Sequence, residues 1–169
     1  MRWRAFAAVA ACVVLSPATA RADADDARAD YAGTWHGSGT FYATVYSKPG
    51  PSSDTTSCAW EADKTYLVCS QDSVTPYGPG KQLTVYARIG DAYVFQRIDP
   101  SGAVHTAEVT VSGKTWTYSN ATYELGKRVV YRTINVFDGN TQRWYSEFSY
   151  DGKRWTRMAE GVETRTATP

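Results

Sequence analysis

Histidine and cysteine, two common metal ligands, are scarce in this chain, which has two histidines and three cysteines among its 169 residues. His36 and His105 do not form a His-Glu-x-x-His motif, and the cysteines lack the spacing of a zinc site. The sequence also lacks a Gly-x-Ser-x-Gly motif, a glycine-rich phosphate-binding loop and a convincing pair of carboxylates. These absences predict no metal and no other cofactor, and they favour a binding protein over an enzyme.

An excess of one charge and long apolar runs are missing as well. Removing residues 1–22, a predicted signal peptide, takes away Arg2, Arg4 and Arg21 and no acidic residue, so the formal net charge falls from +1 to −2. A chain this close to neutral has no basic surface for nucleic acid. After residue 22 no apolar run approaches the roughly 20 residues of a membrane-spanning helix, so we expect no membrane span in the mature protein.

The first 22 residues are typical of a secretory signal peptide. Two arginines precede an apolar run over 5–15, and Pro17 and small residues follow before the expected cleavage after Ala22. Export to a bacterial periplasm or to the medium is therefore predicted. The acidic segment 23–30 has no apolar face and is predicted to be a disordered linker. The remainder, 31–166, has the length of one domain and is expected to be a monomer.

What the chain does contain is abundant Tyr, Trp, Thr and Val with little helical periodicity, a composition that favours an all-β fold. The segment 31–46 alternates with period two, as expected of a strand with one face on a core. The glycines on its apolar side suggest a bend or the close approach of another backbone or a ligand. The predicted inner side chains of this strand are Trp35, Gly37, Gly39, Phe41, Ala43 and Val45.

Turn signals divide the rest of the chain into about ten strands at roughly 8–12-residue spacing, which is typical of a barrel or a sandwich. Asp-Gly, Gly-Asp and Ser-Gly pairs mark short hairpins. Because nearly every connection is short, sequential strands should be neighbours in space. This pattern predicts a single up-and-down antiparallel β-barrel, with an antiparallel β-sandwich as the alternative.

Cys58 and Cys69 lie on either side of a polar turn. With a four-residue loop over 62–65, the hairpin places the two cysteines opposite each other in a non-hydrogen-bonded pair, where side chains are closest. In an exported protein such a pair is expected to form a disulfide. Closing this short loop should stabilise the fold by about 2–3 kcal/mol. Cys12 would be removed with the signal peptide.

The turn registers predict which side chains face the interior. A two-residue turn at Gly90-Asp91 and a four-residue turn over 99–102 give one continuous face across four strands. On this face Gln96, His105 and Asn120 form a polar row near Tyr118, which either contacts a ligand or lies hydrated at an open rim. The face is the more apolar one and is predicted to be inside; it comprises Leu83, Val85, Ala87, Ile89, Ala92, Val94, Gln96, Ile98, Ala103, His105, Ala107, Val109, Trp116, Tyr118 and Asn120.

A second inner row is predicted on the last three strands. A three-residue loop over 138–140 would place Arg132 opposite Ser146, and a two-residue turn at Asp151-Gly152 would add Arg157. Two inward guanidiniums need an acidic partner, water or an anionic ligand. A loop one residue different would instead place Glu147 or Tyr145 beside Arg132, with the arginine on the surface. The expected wall around the row consists of Val130, Ile134, Trp144, Phe148 and Trp155.

Gly33-Thr34-Trp35 resembles the Gly-x-Trp signature of lipocalins and their calycin relatives. Together with the hairpin pattern, the segment 149–155 (SYDGKRW), and Glu160-Gly161 and Thr164-Arg165 near the C-terminus, it resembles bacterial calycin-like barrels of a family without assigned function. The resemblance implies that Trp35 closes the base of the barrel. It also implies that a basic residue of the last strand, Arg157 or Arg165, packs on this tryptophan.

Other barrel families resemble the chain in part. Arg132 and Arg157 are similar to the paired arginines with which intracellular fatty-acid-binding proteins hold a carboxylate, although a short Pro/Ser loop over 47–56 replaces the two-helix lid of that family. The resemblance to haem-binding nitrobindins stops at the front motif, because the C-terminal region has no histidine to serve as a ligand. Avidin-like barrels share Gly-x-Trp, but their later biotin contacts have no counterpart.

Three functions are compatible with these patterns. The favoured one is a barrel that binds a small amphipathic, anionic ligand in its interior. The others are an interaction or inhibitor protein that acts through its rim loops, and a weak barrel enzyme in which His105 acts as general acid or base. The candidate ligand-binding residues are Arg132, Ser146, Arg157, His105, Gln96, Asn120, Tyr118, Trp144 and Trp155.

Overall fold

A computed structural model describes residues 26–166, so the predicted signal peptide lies outside the described residues. Ten antiparallel strands form one closed barrel, in which each strand pairs with its sequence neighbours and the first pairs with the last. The predicted up-and-down barrel is confirmed, and the sandwich alternative is wrong. A 3-10 helix over Ala27–Asp30 precedes the strands β1 (Gly33–Phe41), β2 (Gly50–Glu61), β3 (Tyr66–Thr75), β4 (Gly78–Ile89), β5 (Ala92–Ile98), β6 (Val104–Ser112), β7 (Thr115–Glu124), β8 (Lys127–Asp138), β9 (Thr141–Ser149) and β10 (Thr156–Arg165).

The alternating strand directions give the barrel two different ends. One end, here called the floor end, carries the 3-10 helix and four short turns, at 62–65, 90–91, 113–114 and 139–140. The other, the loop end, carries five connections, at 42–49, 76–77, 99–103, 125–126 and 150–155. The longest connections therefore all lie at the loop end.

An aromatic core fills the floor end. Trp35 is 1% exposed, donates a hydrogen bond from Nε1 to the Tyr31 carbonyl oxygen at 2.9 Å, and lies under the Arg165 guanidinium at 4.5 Å. The implied closing role of Trp35 is thus seen, and Arg165 rather than Arg157 packs on it. The core consists of Tyr31, Trp35, Cys58, Leu67, Cys69, Tyr86, Trp116, Tyr118 and Phe137.

The segment predicted to be a disordered linker is ordered over residues 26–30. Asp26 caps the 3-10 helix by accepting the Arg28 backbone N–H at 2.9 Å. Arg28 is only 5% exposed, donates to the Thr65 carbonyl oxygen at 2.7 Å, and lies over the Trp60 ring at 4.9 Å. The prediction failed here because the segment packs through the Arg28 cation on an aromatic ring and through Ala27 against the core.

The first strand has the predicted faces but ends early. Trp35, Gly37, Gly39 and Phe41 face inward as expected, whereas β1 stops at Phe41 and the segment 42–49 forms a loop. A turn closed by the Ser47 hydroxyl, which donates to the Tyr42 carbonyl oxygen at 2.6 Å, replaces the expected strand continuation. Val45, predicted to lie inside, is therefore 68% exposed.

The disulfide prediction is confirmed. Residues 62–65 form a four-residue turn, and the register places Cys58 opposite Cys69 and Trp60 opposite Leu67. The two cysteines are bonded, with their Cα atoms 4.0 Å apart and both side chains in the floor core. A disulfide is typical of a non-cytoplasmic environment.

The predicted faces of β4 and β5 are reversed. The register at Gly90-Asp91 is correct, since Ile89 pairs with Ala92, but Tyr86 and Phe95 face inward and Leu83 and Ile98 are each 38% exposed. The inward set is aromatic: the Tyr86 ring stacks on Tyr31 at 4.7 Å between centroids. Large rings bury more apolar area than aliphatic side chains do, so aromatic packing decided the face.

The connection from β5 to β6 is one residue longer than predicted. Asp99 Oδ1 accepts the backbone N–H groups of Ser101 and Ala103, at 2.8 and 3.1 Å, and holds a five-residue loop over 99–103. His105 consequently pairs with Arg97 and not with Gln96. The faces of β5 were reversed relative to the prediction, and the extra loop residue reverses β6 relative to β5. The two differences cancel, so His105 and Ala107 line the interior as predicted although the pairing was wrong.

The last three strands follow the alternative register. The turn after Asp138 has two residues, Asp138 pairs with Thr141, and Arg132 therefore pairs with Glu147. The connection from β9 to β10 is also longer than the predicted two-residue turn, since it spans 150–155, and a bulge follows between Arg157 and Ala159. Arg157 therefore pairs with Glu147 and not with Ser146. The predicted inward positions of Arg132 and Arg157 are wrong, because a one-residue change of register moves a side chain to the other face, whereas Ser146 keeps its predicted inward position.

Candidate ligand-binding site

A cavity of about 560 Å³ occupies the barrel interior between the aromatic core and the loop end. Its volume lies within the usual range for small-molecule sites. Much of the wall is polar, because the inward positions toward the loop end of β2, β3 and β4 carry polar side chains or glycine, whereas Cys58, Trp60, Leu67 and Tyr93 pack in the floor core. The polar side chains of the wall include Asp54, Gln71, Gln82, Thr84, Arg97, His105, Asn120, Asn135, Gln142 and Glu163.

Arg97 is a guanidinium on the cavity wall without an acidic partner among the described residues. It projects from β5 between Thr84 on β4 and His105 on β6, which are its paired residues. Its Nε atom is buried without a hydrogen-bond partner among residues 26–166. No ion pair in the described part of the chain includes Arg97. A guanidinium held in this way is available to an anionic group.

A hydrogen-bonded network forms the base of the cavity. The Tyr31 and Tyr118 hydroxyls are 2.6 Å apart, and Asn135 Nδ2 donates to the Tyr31 hydroxyl at 2.6 Å. Burial raises the pKa of both tyrosines well above the ordinary value of 10.0, so they remain neutral donors. Asn135 is 8% exposed, and its Oδ1 atom has no partner within residues 26–166. This oxygen provides a free acceptor at the cavity base.

Two glycines make room for the indole of Trp144. A Cβ atom on Gly39 would lie 2.9 Å from Trp144 Cζ2, and one on Gly161 would lie 2.7 Å from Trp144 Cε2. Gly39 and Gly161 pair with each other on β1 and β10, so the ring lies flat against a smooth patch of backbone. The indole Nε1 is buried and has no partner in the described residues. The expected close approach at Gly39 is thus made by a side chain.

Two carboxyl groups lie on the wall beside β1. Asp54 and Glu163 both pair with Gly37, from β2 and β10 respectively, and both line the cavity. Glu163 is 8% exposed; burial, followed by the charge of Asp54, raises its pKa from 4.5 to about 8. This pair contradicts the expectation that the chain has no convincing carboxylate pair.

The predicted site residues divide into two groups. His105, Asn120, Tyr118, Trp144 and Ser146 line the cavity. His105 also contacts Asp99, with Nε2 and Oδ2 2.8 Å apart. Gln96 is exposed on the outer face, which is a correction to the predicted polar row. Arg132 borders the cavity, but its guanidinium points to the outer face, where it forms a separate cluster with Arg157 and Trp155.

That outer cluster is centred on Glu147. Arg132 Nη2 donates to Glu147 Oε2 at 2.8 Å, and Arg157 Nε donates to Glu147 Oε1 at 3.1 Å. Arg132 also lies over the Trp155 ring at 3.7 Å, and Arg157 over the Tyr145 ring at 4.0 Å. Both guanidiniums are therefore neutralised by an acid and covered by aromatic rings, and neither is free for an internal anion.

Sequence reasoning missed Arg97, Asp54 and Glu163. The signal for Arg97 was its alternation with Tyr93 and Phe95, which form the aromatic and correct inner face of β5. The signal for the carboxyl pair was Gly37, an inward glycine that needs a neighbour to fill its space. Among residues 26–166 no group of three or more His, Cys, Asp or Glu side chains could hold a metal ion. No helix in this range is long and apolar enough to cross a membrane.

No family model and no curated protein matches the sequence. Among solved structures, the crystal structure of Rv2717c from M. tuberculosis is similar, with a TM-score of 0.59, 15% sequence identity, and coverage of 83% of this chain and 98% of that chain. The S-type phycobiliprotein lyase CPES from Guillardia theta has a TM-score of 0.57 and 10% identity, with coverage of 83% and 91%. Both are lipocalin-like calycin barrels. The fold of this chain is calycin-like. At these identities the similarity establishes the fold alone.

Proposed function

We propose that the protein binds a small amphipathic anion inside the barrel and that Arg97 holds its anionic group. The observation that carries this proposal is a guanidinium in a cavity of about 560 Å³ with no acidic partner among residues 26–166. An unpaired charge removed from water is costly. A carboxylate that accepts charge-assisted hydrogen bonds from Arg97 would offset that cost.

The aromatic part of the wall supports an apolar body for the same ligand. Phe95 is the inward neighbour of Arg97 on β5, and Phe41, Tyr131 and Trp144 line the cavity with it. The donor Trp144 Nε1 and the acceptor Asn135 Oδ1, both without partners in the described residues, could fix the orientation of polar substituents. A phycobiliprotein lyase has the same fold, which is compatible with a barrel that accommodates a small molecule.

The cellular location belongs to the same proposal. The disulfide between Cys58 and Cys69 supports a non-cytoplasmic environment. We retain the prediction that the first 22 residues direct export to a periplasm or the medium and that the domain 31–166 is a monomer.

Arg97→Met should weaken the binding of a carboxylate ligand by about tenfold or more, because one charged hydrogen bond contributes roughly 1.5–3 kcal/mol. Isothermal titration calorimetry with indole-3-propionate and octanoate measures the effect. Arg132→Met is the matched control, since its guanidinium lies on the outer face against Glu147. Equal loss of affinity in both variants, or no binding of either carboxylate to the parent protein, would contradict the proposal.

A second candidate function is interaction through the loop end, favoured by exposed apolar residues at its tips. Leu125 is 81% exposed and has a left-handed φ of 51°, which is unfavourable for leucine. Tyr123 and Val45 are 77% and 68% exposed. The exposed cations of the same end are Lys48, Lys127, Arg128, Lys153 and Arg154. Apolar tips flanked by cations are complementary to an anionic lipid surface.

Leu125→Asn is expected to reduce binding to vesicles of phosphatidylcholine and phosphatidylglycerol several-fold, while the fold is preserved because asparagine tolerates a left-handed φ. Co-sedimentation measures the bound fraction. Ile89→Asn is the control, because Ile89 is 71% exposed but lies at the floor end. The surface function is wrong if the parent protein does not sediment with these vesicles, or if both variants lose binding equally.

A further inference from the structure

The side chains of Asp54 and Glu163 fill the space that a side chain at position 37 would occupy. A Cβ atom on Gly37 would overlap Asp54 Oδ1 and would lie 2.8 Å from Glu163 Cγ. Both acids are the direct cross-strand partners of Gly37. The glycine therefore brings two carboxyl groups from strands β2 and β10 together on the cavity wall.

Surrounding side chains fix one member of the pair and leave the other without a partner. Asp54 Oδ2 accepts hydrogen bonds from Thr56 Oγ1 at 3.1 Å and from Gln71 Nε2 at 3.0 Å. Gln82 in turn donates to Gln71 Oε1, so the aspartate is held by a chain of polar groups. Glu163, by contrast, is 8% exposed and makes no side-chain hydrogen bond or ion pair within residues 26–166.

A third side chain shows independently that this wall is built for a polar partner. Gln142 is paired with Glu163 across β9 and β10, is 4% exposed, and lines the cavity. Its amide makes no side-chain hydrogen bond to the described residues. The amide atoms are not among the fully buried polar atoms without a partner, so they are accessible from the cavity. The wall thus presents two carboxyl groups and an amide to the same space.

Glu163 and Arg97 come from opposite strands of the barrel, and Asp54 on β2 lies between them in the strand order. In the barrel order, β10 is separated from β5 by the four strands β9, β8, β7 and β6 on one side and by the four strands β1, β2, β3 and β4 on the other. No ion pair among the described residues joins Arg97 to either acid. The cavity thus holds a guanidinium without an acidic partner on β5 and carboxyl groups on β2 and β10.

We propose that the ligand is zwitterionic: its carboxylate pairs with Arg97, and its ammonium group lies between Asp54 and Glu163 and donates a further hydrogen bond to the Gln142 amide oxygen. This inference rests on the proposed function for its anionic half only. Near neutral pH the Glu163 carboxyl holds a proton, which the incoming ammonium displaces to the buffer. The other titratable groups that act on Glu163 are Asp54, Tyr31 and Tyr86, and the tyrosines stay neutral because burial raises their pKa.

A matched indole series tests the proposal: tryptophan carries both charges, indole-3-propionate only the carboxylate, and tryptamine only the ammonium. In calorimetry at about pH 7, tryptophan should bind at least about tenfold more tightly than either single-charge compound. Glu163→Gln and Asp54→Asn should each remove most of this advantage and leave indole-3-propionate unaffected. Comparison of buffers with different ionisation enthalpies should show about one proton released with tryptophan, and none with Glu163→Gln.

The outcomes separate the two proposals. If indole-3-propionate binds through Arg97 but tryptophan has no advantage, the zwitterion inference is wrong and the anion site stands. If tryptamine binds through Glu163 while Arg97→Met changes nothing, the anion site is wrong, and with it the zwitterion. If none of the three compounds binds, or if tryptophan binds without proton release, the inference is also overturned. Circular dichroism of each variant confirms that loss of binding is not loss of fold.

Discussion

Glu163→Gln is expected to raise the free energy of unfolding by about 3–5 kcal/mol at about pH 9 and to leave it nearly unchanged at about pH 4. Glu163 is 8% exposed on the inner face of β10 and has no hydrogen-bond partner in the described residues. Burial, with a smaller contribution from Asp54, raises its pKa from 4.5 to about 8. Glutamine keeps the shape of the side chain and removes the charge.

The direction of the pH dependence follows from proton binding. Between pH 4.5 and about 8 the folded chain retains the Glu163 proton that the unfolded chain has released. The unfolded state binds fewer protons in this window, so stability falls as pH rises. Above pH 8 both states are ionised and the penalty is constant. The glutamine variant has no proton to lose, and its stability curve should be flatter across the same window.

Urea unfolding of the parent and the variant at several pH values measures the difference. Glu108→Gln is the control, because Glu108 is exposed on β6 and makes no side-chain hydrogen bond among residues 26–166. This control should shift the curve by less than about 0.5 kcal/mol at every pH. A Glu163→Gln variant that is no more stable than the parent at about pH 9 would show that Glu163 is hydrated or paired with a cation.

The parts of the fold that sequence reasoning predicted correctly depend on single local signals. The Cys58–Cys69 pairing depends on one turn, and the loop over 62–65 has the length that the sequence suggests. The inward set of β1 follows from alternation around Trp35, and the barrel follows from a series of short connections. None of these inferences requires the strand register to be carried correctly through several consecutive turns.

The candidate site could not be predicted, because its residues depend on the strand register across several consecutive turns. The Asp99 side chain adds one residue to a loop, the turn after Asp138 is one residue shorter than predicted, and a bulge follows Arg157. Each one-residue difference reverses a strand face, since side chains alternate with period two. Arg132 and Arg157 were therefore placed inside. Arg97 was placed outside because the aliphatic face of β5 was taken as the inner one, whereas Tyr93 and Phe95 face the interior.

The carboxyl pair was hidden for a different reason. Asp54 and Glu163 are far apart in sequence and meet only because barrel closure places β1 between β2 and β10. A local pattern contains no information on that contact. The glycines in β1 marked the position, as the need for a close neighbour at Gly37 and Gly39 shows, but they did not identify the neighbours.

Trp35→Ala is expected to destabilise the barrel by about 3–5 kcal/mol, the cost typical of removing a fully buried tryptophan. The ring is 1% exposed and packs edge-on against Phe137 at 5.7 Å between centroids. Its loss would leave a cavity in the floor core, free the Tyr31 carbonyl oxygen from Nε1, and remove the surface on which Arg165 lies. Chemical unfolding measured by near-UV circular dichroism gives the change in stability.

A double-mutant cycle identifies which arginine supports this tryptophan. Arg165 lies over the Trp35 ring at 4.5 Å and donates from Nη2 to the Asp30 carbonyl oxygen at 2.5 Å, whereas Arg157 lies over Tyr145. Arg165→Met combined with Trp35→Phe should show a coupling energy of about 0.5–2 kcal/mol, as residues in direct contact do. Arg157→Met combined with Trp35→Phe should be additive within about 0.5 kcal/mol, because these residues share no contact. Two results would contradict this account: coupling of Trp35 to Arg157, or a loss of stability below about 2 kcal/mol for Trp35→Ala. Either would mean that the surrounding tyrosines, and not Trp35 and Arg165, stabilise the floor end of the barrel.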